Sequence, residues 1–218
     1  MRDLVRVAFP PHQRRRCAVA VFDSYWDASR DGDGVTVAVG GYIATADVWE
    51  QSFETPWTSV LREEGLDFFH MADFENYQGP YAHWTRERHE RVLATLVAII
   101  RKSDLMGIGV AVDLRDLEAM RAEMTAVFDW TEPYDLCATW GIILANRWRG
   151  QERIADPIGH AFEAGDVGTG ALKRGIERYA RLLPEAFRGE PLIFADKRSI
   201  VQFQAADILA YEVCKEYR

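Results

Sequence analysis

Residues 194–212 read FADKRSIVQFQAADILAYE and join an apolar strand to an amphipathic helix. The strand leads into Asp196, and the helix places Gln204, Asp207 and Tyr211 on one face, at spacings of three and four residues. The opposite face of the helix is apolar, which predicts that it packs against a sheet. A carboxylate on such a helix is costly to bury unless a partner neutralises it, and a cation is one candidate partner.

The composition predicts a single globular domain. The chain has 218 residues, of which 48% are hydrophobic and 28% are charged. Its net charge of −8 argues against a protein that coats nucleic acid through bulk positive charge. Residues 1–16 contain the dense basic run Arg14-Arg15-Arg16 and are predicted to be an irregular segment, either a solvated tail or a phosphate contact. Residues 17–218 are predicted to form one domain.

The chain reads as a cytoplasmic protein without a membrane partner. Its three cysteines are scattered, as expected for small buried residues in a reducing compartment. The N-terminus lacks the apolar core of a signal peptide, and no apolar run is long enough to span a bilayer. The surplus of aromatic residues, 12% of the chain, is compatible with a homodimer.

Apolar strands alternate with helical patterns along the domain. Strands are predicted over residues 17–22, 35–44, 105–112, 158–162 and 192–195. A turn rich in Asp and Gly is predicted at 27–34, and Gly40-Gly41 inside the second strand indicates a bulge or a close approach. This order of elements predicts an α/β layered domain with a mixed sheet.

Four predicted strands end at or next to an acid, namely Asp23, Asp113, Glu163 and Asp196. Sites in open α/β sheets lie beyond the carboxyl ends of the strands, where neighbouring acids repel each other unless a cation lies between them. Asp207 is placed to complete such a cluster, and hard oxygen ligands of this kind suit Mg²⁺ or Mn²⁺. Each acid taken singly also has a structural interpretation, and Asp113 reads as a helix cap because a helix-favouring stretch follows it.

His70 and Asp73 form a compact polar pair in an aromatic setting. They are interpreted either as a metal ligand, acid–base or substrate-orienting pair, or as a hydrogen-bonded histidine beside a turn cap. Lys197 is either a phosphate contact or a solvent-facing lysine. The glycine-rich run at 165–170 lacks the Gly-Lys-Ser/Thr of a phosphate-binding loop.

Six motifs follow one another along the domain: VFD at 21–23, VGGYI at 39–43, FHMADF at 69–74, GIGVAVD at 107–113, FEAG at 162–165 and QAADILAYE at 204–212. Their combination, over residues 17–218, resembles the DUF3800 family of bacterial proteins. The resemblance implies an α/β, ribonuclease H-like fold with a mixed central sheet of about five strands flanked by helices. It also implies a carboxylate cluster for a divalent metal, Mg²⁺ or Mn²⁺.

The resemblance assigns roles to individual residues. The implied metal ligands are Asp23, Glu163, Asp196 and Asp207. The implied catalytic acids are Asp23, Glu163 and Asp207. His70 and Asp73 match a motif of the family, and the residue types make His70 a further catalytic candidate. Asp73, Gln204 and Lys197 are candidate substrate-orienting residues by their residue types and positions. Many family members read Asp-Glu-Ser-Gly after the first strand, whereas this chain reads Asp23-Ser24-Tyr25-Trp26 and lacks that Glu.

These patterns support two main hypotheses. The first is a metal-dependent nuclease or phosphodiester hydrolase with a nucleic-acid or nucleotide substrate, in which the carboxyl groups converge within ~4–6 Å. Hydrolysis of a small phosphorylated molecule is a variant of it. The alternative is a non-catalytic ribonuclease H-like scaffold, favoured by the acidic balance and the altered first motif. The scaffold hypothesis predicts an exposed aromatic patch around Trp26, Tyr77, Tyr81 and Trp84.

Overall fold

The computed structural model describes residues 22–123, 132–164, 169–182 and 192–217. The basic segment 1–16, residues 17–21 of the predicted first strand and 165–168 of the glycine-rich run lie outside the described residues. The described residues form a mixed α/β fold, a five-stranded mixed sheet flanked by helices. This confirms the predicted fold class at the level of layers and sheet type.

The sheet combines antiparallel and parallel pairs. Its strands are β1 (Phe22–Arg30), β2 (Thr36–Thr45), β3 (Met106–Asp113), β4 (Ile158–Glu163) and β5 (Leu192–Ala195), in the spatial order β3-β2-β1-β4-β5. β2 is antiparallel to both β1 and β3, whereas β4 is parallel to both β1 and β5. Because β1, β4 and β5 run in the same direction, their carboxyl ends meet at one edge of the sheet.

Helices cover both faces of the sheet. They are α1 (Thr55–Glu64), α2 (Met71–Glu75), α3 (Arg86–Lys102), α4 (Leu114–Glu123), α5 (Pro133–Gln151), α6 (Thr169–Leu182) and α7 (Gln202–Glu216), with a π-helical segment at Val48–Glu54 and a 3₁₀ turn at Gly79–Tyr81. The first three helices and α7 enclose an aromatic core on one face, and α5 and α6 enclose a second core on the other. Within the described ranges, no helix has the length and apolar character needed to cross a membrane.

The predicted end of the first strand is wrong. β1 continues to Arg30 through residues that were predicted to begin a turn, so Asp23 does not lie at its end. Tyr25 and Trp26 are both buried and pack on opposite faces of the sheet. Their burial stabilises the strand although polar residues flank them. The chain reverses only at 31–34, where Gly34 adopts a positive φ of 69°.

Two adjacent glycines of β2 admit close neighbours on opposite faces of the sheet. A Cβ added to Gly40 would lie 2.4 Å from the backbone nitrogen of Ala210 in α7, and one added to Gly41 would lie 2.2 Å from the Trp26 ring. The pairing of β1 with β2 runs through both positions without interruption, so there is no bulge. The predicted close approach is therefore confirmed, and it brings the backbone of α7 directly onto β2.

We expect Gly40→Ala to destabilise the fold by ~1–3 kcal/mol, because the added methyl group meets backbone atoms that only a shift of α7 can clear. This corresponds to a fall of ~2–4 °C in Tm for each kcal/mol in a domain of this size. Gly32→Ala is the matched control, since an added Cβ there meets nothing within 4 Å in the described part of the chain. Thermal unfolding followed by circular dichroism measures both, and equal Tm values would contradict the packing argument.

Candidate functional site

Four charged side chains meet at the carboxyl edge of the central strands. They are Asp27 of β1, Glu163 of β4, Lys197 just after β5 and Asp207 of α7. Trp26 and Phe162 are paired in the parallel register of β1 and β4, so Asp27 and Glu163 occupy the next positions on adjacent strands. Such strands lie ~4.8 Å apart, which places the two carboxylates on neighbouring positions of one sheet face.

The cluster is buried. Asp27 is 1% exposed, Asp207 is 5% exposed and Glu163 is 7% exposed. Oδ2 of Asp27 lies 3.3 Å from Nζ of Lys197, and Oδ1 of Asp27 accepts the Ala28 N–H at 2.8 Å. The carboxylates of Asp27, Asp207 and Glu163 therefore all act on the ammonium group of Lys197.

Burial is the largest influence on the pKa values of Asp27, Lys197 and Asp207. Burial, and then the charge of Asp207, raise the pKa of Asp27 to about 7. Burial also raises the pKa of Asp207, although the nearby Lys197 opposes the shift. Burial alone would lower the pKa of Lys197, but the carboxylates of Asp27, Asp207 and Glu163 raise it above its ordinary value. Additional positive charge at this place would therefore stabilise the ionised carboxylates.

The polar face of α7 holds the segment that leads into α2. Oε1 of Gln204 accepts the Phe69 N–H at 2.9 Å and the Trp57 Nε1–H at 3.0 Å, and Oδ2 of Asp207 accepts the Met71 N–H at 2.8 Å. Phe69 and Met71 are fully buried, so Gln204 and Asp207 of this helix face are directed into the protein and not toward solvent. Gln204 and Asp207 thus bind the backbone on either side of His70 and fix the position of that residue.

His70 belongs to the wall of a cleft over the cluster. Its Nδ1 lies 2.8 Å from Oδ2 of Asp73, and the two side chains are 30% and 40% exposed, so the predicted polar pair is in contact at the surface. The cleft has a volume of about 500 Å³. It is lined by Phe68, His70, Asp73, Glu163, Ala164, Asp196, Lys197 and Arg198. Two members of the charge cluster, Glu163 and Lys197, are thus accessible from this cleft.

Asp23 and Asp196 do not join the cluster. Asp23 lies four residues before Asp27 on β1, or ~13 Å at ~3.3 Å per residue. It is buried, which raises its pKa to about 6, but it lies opposite Gly159 at the beginning of β4. Asp196 is exposed at the cleft, where its Oδ1 accepts the Arg198 N–H at 2.8 Å and supports the turn after β5.

Asp27 is the site residue that the sequence analysis missed. It was assigned to a turn because residues 27–34 are rich in Asp and Gly, while Asp23 was taken as the end of the strand. Two signals favour the observed strand. Aromatic residues at 25 and 26 are typical of strands, and the repeated Asp-Gly pairs at 31–34 mark a hairpin turn beyond them.

Other predictions have mixed outcomes. The predicted exposed aromatic patch is wrong for Trp26 and Tyr81, which are buried in the two cores, whereas Tyr77 is 39% exposed. Asp113 acts as the predicted helix cap, since its Oδ1 accepts the Arg115 N–H at 2.7 Å at the start of α4. Cys137 is buried, as predicted for the scattered cysteines.

As the side chains of the described residues stand, no group of three or more His, Cys, Asp and Glu is arranged to hold a metal ion. The ammonium group of Lys197 interacts with the carboxylates of the cluster instead. No protein-family model matches this chain, and no curated protein matches it.

We expect the charge cluster to make stability depend on pH. An unfolded Asp ionises near pH ~4, whereas folded Asp27 keeps its proton up to about 7. The folded state therefore binds more protons in this window, and its free energy of unfolding falls as the pH rises through it. Asp27→Asn removes this contribution. Between pH ~4 and about 7, the free energy of unfolding of the variant should therefore rise relative to that of wild type by up to ~1.4 kcal/mol per pH unit.

Urea unfolding at several pH values between ~4 and ~8 measures this difference. Asp47→Asn is the control, because Asp47 is an exposed Asp outside the cluster. Its stability curve should run parallel to that of wild type. An Asp27→Asn curve that also runs parallel to wild type would contradict the buried-charge interpretation.

Proposed function

We propose that this protein is a divalent-metal-dependent nuclease or phosphodiester hydrolase with a ribonuclease H-like fold. The observation that carries the proposal is the cluster of Asp27, Glu163 and Asp207, on β1, β4 and the last helix, beneath an open cleft. The DUF3800 resemblance implied acids on these same three elements. Asp27 replaces Asp23 as the acid of the first strand.

The corrected position also strengthens the proposed membership of the DUF3800 family. When the family pattern Asp-Glu-Ser-Gly is set against Asp27-Ala28-Ser29-Arg30, its Asp and Ser are retained. The missing Glu remains missing, because Ala28 stands in its position. The first motif therefore departs from the pattern less than the comparison with Asp23 suggested.

The donor chemistry of the cluster fits a hard divalent cation. Carboxylate oxygens are the ligands that Mg²⁺ and Mn²⁺ prefer, and burial raises the pKa values of Asp27 and Asp207, so a cation beside them would stabilise their ionised forms. Asp27, Glu163 and Asp207 would hold the ion. A divalent cation bound there would supply Lewis-acid catalysis of phosphodiester hydrolysis.

The cleft residues would bind the substrate and move protons. The contact between Nδ1 of His70 and Asp73 orients the imidazole and leaves Nε2 for proton transfer with a substrate or water. Lys197 and Arg198 add positive charge to the cleft, which suits the phosphates of a nucleic acid or nucleotide. A volume of about 500 Å³ lies within the range of small-ligand sites.

Calorimetric titration with Mn²⁺ tests the proposed ligands. We expect wild type to bind and both Asp27→Asn and Asp207→Asn to lose at least ~10-fold in affinity, because each removes a negative charge from the cluster. Asp23→Asn is the matched control, since this acid lies at the other end of β1, and it should bind like wild type. A loss of affinity confined to Asp23→Asn would overturn the assignment.

His70→Ala should lower Mn²⁺-dependent cleavage of single-stranded DNA or RNA by ~10²-fold or more, the usual effect of removing a general acid or base. His83→Ala is the control because His83 is exposed and lies outside the cleft. The measurement is the initial rate with a fluorescent oligonucleotide. Equal rates for the two variants would remove His70 from the catalytic machinery.

One observation favours the alternative, a non-catalytic binding module. Lys197 lies 3.3 Å from Asp27 and supplies part of the neutralisation that a metal ion would otherwise provide. If wild type neither binds Mn²⁺ nor cleaves an oligonucleotide, the scaffold function is the better account of the carboxylate cluster.

A further inference from the structure

The turn after β5 directs Lys197 into the carboxylate cluster. The carbonyl of Ala195 accepts the Ala164 N–H at 2.9 Å, and the carbonyl of Asp196 accepts the Ser199 N–H at 3.0 Å. The side chain of Asp196 accepts the Arg198 N–H as well. These bonds fix the backbone on both sides of Lys197, whose side chain is only 21% exposed.

The ammonium group lies where three carboxylates stabilise a positive charge. Besides its contact with Asp27, it is stabilised by the charges of Asp207 and Glu163, which belong to different elements of the fold. An ammonium ion and a divalent cation are competitors for such a place, because each requires the same carboxylate oxygens and each repels the other.

We propose that Lys197 is an internal counter-ion that neutralises the cluster in the metal-free protein and that a divalent metal binds only by displacing it. The displacement rests on the proposed function, whereas the counter-ion role does not. The flexible four-carbon stem of lysine lets the ammonium group leave without moving the backbone. Because Lys197 also lines the cleft, the displaced group remains beside His70, where a substrate phosphate would bind.

A double-mutant cycle in metal-free buffer tests the counter-ion role. Lys197→Met should lower Tm by roughly 6 °C or more, because it removes the ammonium group that lies 3.3 Å from the buried carboxylate of Asp27. The same change in an Asp27→Asn background should lower Tm much less. Additive effects of the two substitutions would overturn the counter-ion role.

Mn²⁺ titration of the same variants tests the displacement. Lys197→Met should raise the affinity for Mn²⁺ by ~10-fold or more, because the competing charge is gone. Arg198→Met is the matched control, since it removes a positive charge from the same cleft but Arg198 packs over the Phe68 ring at 5.4 Å. It should change the affinity much less than Lys197→Met does.

The outcomes separate this proposal from the proposed function. An unchanged or weaker affinity in Lys197→Met, beside a wild type that binds, overturns the displacement and leaves the metal site in place. Equal gains in the two variants also overturn it, because they reflect the general charge of the cleft. An absence of Mn²⁺ binding in both wild type and Lys197→Met refutes the metal site and the displacement together, and the thermal cycle still decides the counter-ion role.

Discussion

The contact between the backbone of α7 and the bare backbone of β2 at Gly40 is the constraint on which the site depends. Asp27 lies directly opposite Gly40 in the antiparallel pair, and Asp207 lies three residues before Ala210, the residue that Gly40 meets. A side chain at position 40 would lift the helix from the sheet and draw Asp207 away from Asp27. The glycine that permits the packing therefore also permits the meeting of the two acids.

That meeting has an energetic consequence. Three buried carboxylates destabilise the folded state unless they are neutralised, and breaking a buried pair by removing one partner typically costs ~3–5 kcal/mol. An apolar residue at position 27 would be a more stable choice for a strand covered on both faces. The fold keeps Asp27, Glu163 and Asp207 together against this cost, which is the pattern expected where function opposes stability.

The sequence predicts most of the fold but only part of the site. Strands β2 to β5 follow from local apolar runs, and Glu163 and Asp207 lie on the strand and the helix that were predicted to carry them. Asp27 was missed because it begins a stretch rich in Asp and Gly, a composition typical of a turn, although the residue lies on a buried strand. The pairing of Lys197 with Asp27 joins positions far apart in the chain, and no local pattern encodes it.

Asp207 has two roles at this site, as a hydrogen-bond acceptor and as a negative charge, and substitutions can separate them. Oδ2 accepts the Met71 N–H and so holds the backbone next to His70, while the negative charge of the group acts on Lys197. An Asn at this position keeps a carbonyl oxygen for the N–H and loses the charge, whereas an Ala loses both. If Asp207→Ala shifts the backbone next to His70 and Asp207→Asn does not, the shift results from the lost hydrogen bond to the Met71 N–H and not from the lost charge, independently of any cation.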